Sequence, residues 1–244
     1  MRALRAQVLA ELTMTLRRGE TLLVTLGIPL ILLVFFSQIK IVSTQGTRPV
    51  DLVTPGILAL AVMSTSMVSL GIATGFERGY GVLKRLGATP LGRGRLLTAK
   101  IASVAAIEVL QAAAIVIVGL LLGWKPTGGL LGALGAAGAC VAGSIAFGGI
   151  GLAMAGRLRA EVNLAAANGL YLILLLLGGM VVPLSVLPVG VRTVAEVLPG
   201  AALSSSLHDS IGPLKGYSGC WIVLLLWMVI APVVAVRAFR FEGD

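Results

Sequence analysis

This chain has little charge. Asp, Glu, Lys and Arg together make up 12% of its 244 residues, against 57% hydrophobic residues, and a soluble domain of that composition would have more apolar surface than one core hides. The chain therefore belongs in a lipid bilayer. Only two cysteines are present, Cys140 inside one apolar run and Cys220 near the start of another, so a disulfide or a metal cluster is not expected. The lone histidine, His208, stands beside Asp209 and invites a catalytic pairing with Ser144. That reading is poor, because Ser144 sits in an Ala/Gly-rich stretch where serine serves close helix packing, and nothing in the sequence brings the two together. A Gly-x-x-x-x-Gly-Lys-Ser/Thr phosphate loop is missing altogether, which excludes ATP hydrolysis by that route. Ten-residue alternating segments are missing too, which excludes a membrane β-barrel. The absence of an internal repeat gives no support to a carrier built from duplicated halves.

What the chain does have is long apolar runs. Crossing the hydrocarbon as an α-helix takes roughly 20 apolar residues. The charge-free intervals 21–39, 52–76, 126–156, 162–191 and 216–236 qualify, and 101–124 qualifies with Glu108 buried inside it. The expected architecture is an all-α integral membrane protein with six transmembrane helices, at about 21–39, 52–76, 98–124, 128–156, 162–183 and 217–238. Residues 1–20 precede these spans, with Leu4, Val8, Leu12 and Leu16 recurring every fourth position among arginines, the pattern of an amphipathic interfacial helix. Basic residues concentrate on the cytoplasmic side of membrane proteins. Placing both termini there, with the second-to-third and fourth-to-fifth loops, gives that side 14 Lys/Arg against 5 on the other. The +9 net charge is explained by this placement without nucleic-acid binding.

Two segments stand out. Residues 178–215 interrupt the apolar pattern with Gly178, Gly179, Pro183, Pro188 and Pro199, too apolar for a free loop and too broken for a span, so short re-entrant helices at the outer face are expected. The other is the loop 77–97, Glu-Arg-Gly-Tyr-Gly-Val-Leu-Lys-Arg-Leu-Gly-Ala-Thr-Pro-Leu and its basic continuation. Helical spacing puts Tyr80, Leu83 and Leu86 on one face and Lys84 and Arg85 on the other. Glu77 is expected at the start of this short helix, where a carboxylate favours the positive end of the dipole. Gly87 ends it, and Thr89 and Pro90 open the next helix. The product is a stiff knob with an aromatic and aliphatic face and a basic rim, a mixture that suits a protein interface.

With this loop, the Gly-Pro-Pro-Pro segment, the amphipathic N-terminus and six spans, the whole chain resembles the type-2 ABC exporter permeases, membrane subunits of bacterial drug, lipid and polysaccharide exporters. The resemblance implies that the loop is a coupling helix docking into a cytoplasmic ABC ATPase through Glu77, Arg78, Tyr80, Leu83, Lys84, Arg85 and Leu86. It implies that Pro183, Pro188 and Pro199 belong to extracytoplasmic re-entrant helices. It further implies a bacterial cytoplasmic membrane, a second permease as homodimer or related partner, and export of a hydrophobic or amphipathic substrate. On this reading the chain has no catalytic, cofactor or metal residue of its own, and ATP and Mg are bound by the partner ATPase.

An intramembrane ionisable residue is a functional hypothesis by default. Glu108, with Gln111 one turn on, is the candidate contact for a polar or cationic substrate; Ser64, Thr65, Ser66, Asn168 and Tyr171 are further candidates for the pathway lining. The competing reading for each is helix-to-helix glue. A proton- or ion-coupled carrier or channel using Glu108 is the alternative to the ATP-driven permease.

Overall fold

The fold comes from a computed structural model that describes residues 19–39, 47–83 and 92–239, with side chains from Thr25, Thr47 and Thr98 onward in the three segments. Every regular element among them is helical. In chain order these are α1 (Gly19–Gln38), α2 (Pro49–Met63), a π-helical turn (Ser64–Ser69), α3 (Leu70–Gly79), α4 (Gly92–Leu121), α5 (Gly129–Ala155), α6 (Ala160–Leu177), a 3-10 turn (Leu184–Val186), α7 (Val189–Glu196), α8 (Pro199–Ile211) and α9 (Cys220–Ala238). The amphipathic helix expected over 1–20 lies outside the described residues except for its last two positions, which open α1.

Five stretches among the described residues, against the six expected, are long and apolar enough to cross a membrane: Pro49–Gly79, Thr98–Leu121, Gly129–Ala155, Ala160–Leu177 and Cys220–Ala238. α1 contributes a shorter apolar segment, Thr25–Gln38. The first of the five is a single rod made of α2, the π turn and α3. One end of the bundle gathers the tip of α3, the α5–α6 turn and the last residue described after α9. The other gathers the start of α2, the α4–α5 turn and the interrupted segment 178–219; here the Lys125 amide donates to Asp51 (2.9 Å) and the Thr127 hydroxyl to the Gly212 carbonyl (2.6 Å).

The glycine-rich α5 packs against α9, α8, the α2–α3 rod, α4 and α6. Helices in lipid associate by close van der Waals packing, so small residues set how near the backbones come. At Gly151 a Cβ would lie 2.5 Å from the Met67 carbonyl oxygen in the π turn. Only hydrogen fits there. The π turn itself (Ser64–Ser69) adds a residue to the helical repeat, a distortion frequent at functional sites. Ser64 turns its hydroxyl back on the Ala61 carbonyl (3.1 Å), while Thr65 and Ser66 are buried toward the neighbouring helices.

α6 stops at Leu177, short of the expected 183, because Gly178 and Gly179 follow and Gly179 takes φ +65°. The interrupted segment then forms two short helices. α8 has 13 residues, about 20 Å, against a hydrocarbon core of roughly 30 Å. It is nonetheless buried along nearly its whole length, with Pro199 in its first turn where a missing amide costs nothing.

Candidate functional site

The loop end of the bundle is built around two buried cations. Lys100, 1% exposed on α4, donates its ammonium to Glu77 Oε2 at 2.6 Å. Arg78, also buried, donates Nη1 to the Gly156 carbonyl (2.7 Å) and Nη2 to the Leu158 carbonyl (2.6 Å). Gly156 is the C-terminal cap of α5, where helical carbonyls lack partners and cations are favoured. The tip of α3 is thereby tied to α4 on one side and to the α5–α6 turn on the other. Asn163 adds a third tie, its side-chain amide donating to the Gly71 carbonyl (2.8 Å).

This arrangement departs from the helix expected to begin at Glu77. Glu77 and Arg78 belong to the last turn of α3, which continues the span to Gly79. A carboxylate at that end opposes the helix dipole, and Lys100 offsets it. The chain then reverses through Tyr80 and Gly81 (φ +71°). Tyr80 and Leu83 do not share a face: the Tyr80 side chain is 76% exposed, while Leu83 is wholly buried with Leu70, Val104, Leu152, Ala235 and Phe239. Lys84, Arg85 and Leu86 lie outside the described residues. Leu83→Ala is therefore expected to act on stability, by about 2 kcal/mol from lost packing and the residual cavity. A lowered thermal unfolding midpoint of the purified chain in detergent is the readout, and an unchanged one contradicts the packing described.

A second polar group lies inside the helices. Ser66 donates its hydroxyl to Glu108 Oε1, and the Ser66 and Ser144 hydroxyls meet at 3.1 Å. Thr65 donates to Gln111 Oε1 (2.9 Å), and Gln111 Nε2 to the Thr25 carbonyl of α1 (2.8 Å). All five side chains are buried. The cluster thus joins the π turn to α4, α5 and α1, and satisfies polar groups that lipid would leave unpaired. Of the expected pathway residues it contains Thr65, Ser66, Glu108 and Gln111. Ser144 completes it; its only signal was a hydroxyl within an apolar run.

The other candidates stand apart from it. Ser64 bonds its own helix, Asn168 is exposed with its amide on the Leu164 carbonyl (2.8 Å), and Tyr171 is half-buried beside the main core. In the interrupted segment Pro188 is exposed, Pro183 half-buried and Pro199 buried. Pro183 lines a cavity of about 300 Å³ at the far end, together with His208, Arg192, Lys215 and Tyr217. Burial holds the His208 imidazole down to about 4, hence neutral near pH 7. Ser144, bonded to Ser66, lines a different cavity. No group of three His, Cys, Asp or Glu suited to a metal occurs among the described residues.

Apolar helices of spanning length, a polar cluster enclosed among them and a charged frame at one end define a multi-pass helical membrane protein. The chain belongs to the family described as ABC-2 type transporter, which it matches over residues 2–211. It is also 24% identical over 242 residues, 94% of each chain, to a Bacillus subtilis (strain 168) protein named "Putative transport permease YvfS". Membership makes this chain the membrane subunit of an ABC transporter, a transport component that works with an ABC ATPase.

Proposed function

We propose that this chain is the permease subunit of an ATP-driven exporter and that loop 77–97 is its contact with the ATPase. The observation that supports this best is the pairing of an exposed Tyr80 with a buried frame directly behind it. An aromatic on a rigid base suits an interface anchor, and a push on it has little slack in which to dissipate. The ion pair to Lys100 relays displacement to α4, and Arg78 relays it to the α5–α6 turn. Two ATPases closing on ATP and Mg, which they bind, shift a pair of permeases between inward-open and outward-open states. The bias comes from differential binding of the loop in those states.

On this reading α1 completes six spans, both termini are cytoplasmic, and α7 and α8 form the outer re-entrant segment with Pro183, Pro188 and Pro199. The protein resides in a bacterial cytoplasmic membrane and handles a hydrophobic or amphipathic substrate, with the Glu108 cluster beside its path. The test is co-purification with the ATPase and permease-stimulated ATP hydrolysis. Tyr80→Asp is expected to lower that stimulation about tenfold, the loss of one interface anchor, while leaving the unfolding midpoint unchanged. Substrate movement by the isolated chain with no ATPase present would sink the proposal.

A further inference from the structure

Between α4 and α5 runs a cavity of about 810 Å³ lined almost entirely by apolar side chains. Alanines on both walls, including Ala105 and Ala112 on α4 and Ala133 and Ala137 on α5, leave the space unfilled. Along α4 the lining extends from Thr98 to Leu120, about 33 Å at the helical rise, comparable to the roughly 30 Å hydrocarbon core. Val109 at 70% exposure and Val141 at 58% stand at its margins, so the groove opens sideways. Among the described residues, its only ionisable acidic or basic lining residue is Glu108. That carboxyl group sits ten residues beyond Thr98, about 15 Å along the axis, near the depth where a resident lipid has only acyl chains.

We propose that this groove is a lateral binding site for an elongated amphiphile with one cationic centre, and that Glu108 is its counter-ion. The assignment rests on reading the chain as a membrane transport subunit. A carboxylate at that depth, lining an apolar groove, is costly and gains from a partner. An uncharged chain offers it nothing, and an anionic headgroup repels it. Ser66 donates to one oxygen and Ser144 is a second hydrogen-bond partner of the same carboxyl group; a carboxylate has about four acceptor positions, so an ammonium docks without dismantling the cluster. The apolar walls then take the body of the ligand, as in small-molecule sites in general. Binding at Glu108 also touches the π turn, and through it the rod that ends in Glu77 and Arg78.

The test uses the purified full chain in nanodiscs of zwitterionic lipid, without ATPase. Trp124 lines the groove and reports occupancy when quenched by 12-bromododecylammonium, with Trp124→Phe subtracting the signal of Trp221 and Trp227. The cation is expected to half-saturate the quench at about one-tenth the concentration of 12-bromododecanol, the effect of one charge-assisted contact. Glu108→Gln should abolish that preference and leave both probes equal. Ala137→Phe, which fills the groove without touching the cluster, should raise both concentrations. Equal half-saturation in the unmodified protein means an unselective lipid groove and overturns the proposal. Closure of the groove by a second copy, read as a disulfide between two Val109→Cys chains with no quench, also overturns it. Because no ATP is involved, a negative result here leaves the ATP-driven reading standing, and failure of ATPase coupling leaves this readout unaffected.

Discussion

Arg78→Ala is expected to lower the thermal unfolding midpoint of the purified chain sharply and to abolish most ATPase stimulation by the residual folded protein. The guanidinium is buried and donates to two carbonyls at the end of α5. Hydrogen bonds to charged groups contribute about 1.5–3 kcal/mol each. Partial solvation of the freed carbonyls recovers part of the sum, leaving a loss of about 3 kcal/mol. Arg78→Lys separates the two effects. A lysine keeps the charge but reaches only one carbonyl at a time, because it lacks the planar fork. Stability should be mostly restored while coupling stays impaired, since the α5–α6 turn is then held at a single point. The measurements are unfolding midpoint and stimulated ATP hydrolysis on the same preparations. An alanine variant that melts like the unmodified protein would show that the tie is unimportant.

Gly56→Ala should have an effect of similar size from the opposite end of the bundle. A Cβ at Gly56 would overlap the Met180 carbonyl oxygen, and the obstacle is backbone, which cannot rotate away. α2 or the Gly178–Met180 turn must move, at a cost of about 3 kcal/mol, the upper part of the usual overpacking range. Gly138→Ala is the matched control, because nothing lies within 4 Å of where its methyl group would stand and alanine is the better helix former by about 1 kcal/mol. The first should give low yield and early unfolding, the second unchanged or raised stability. If both behave alike, the close approach of α2 to Met180 is wrong.

The legible part of this protein was the part that composition forces. Apolar runs of spanning length have one favourable environment, and in that environment the backbone must satisfy itself, so helices at most of the expected places followed directly. The breakers between 178 and 199 likewise announced short helices. Side-chain direction was not legible. In water, an apolar stripe marks the inward face; in lipid, both faces are apolar, and helices such as α5 and α9 show no stripe to read.

The loop shows the same limit at the level of single residues. Tyr80, Leu83 and Leu86 fit one helical face by spacing, yet the turn at Gly81 sends Leu83 into a core and leaves Tyr80 outside. Arg78 was expected among the residues docking on the ATPase; its partners within the chain lie 78 and 80 positions away. Glu108 and Gln111 were conspicuous because ionisable and amide groups are rare in spans. Ser144 was not, since hydroxyls in a membrane helix usually bond their own backbone, and only the packing of α5 against the π turn brought it to Ser66.

By itself, then, the sequence determined the environment, the helical class and the position of one basic loop, because transfer of apolar and charged groups between water and lipid depends on local composition. The tertiary structure alone decided which residues frame that loop, which polar groups meet among the helices and where a groove remains open. Those outcomes depend on contacts between segments far apart in the chain, and no local free energy encodes them.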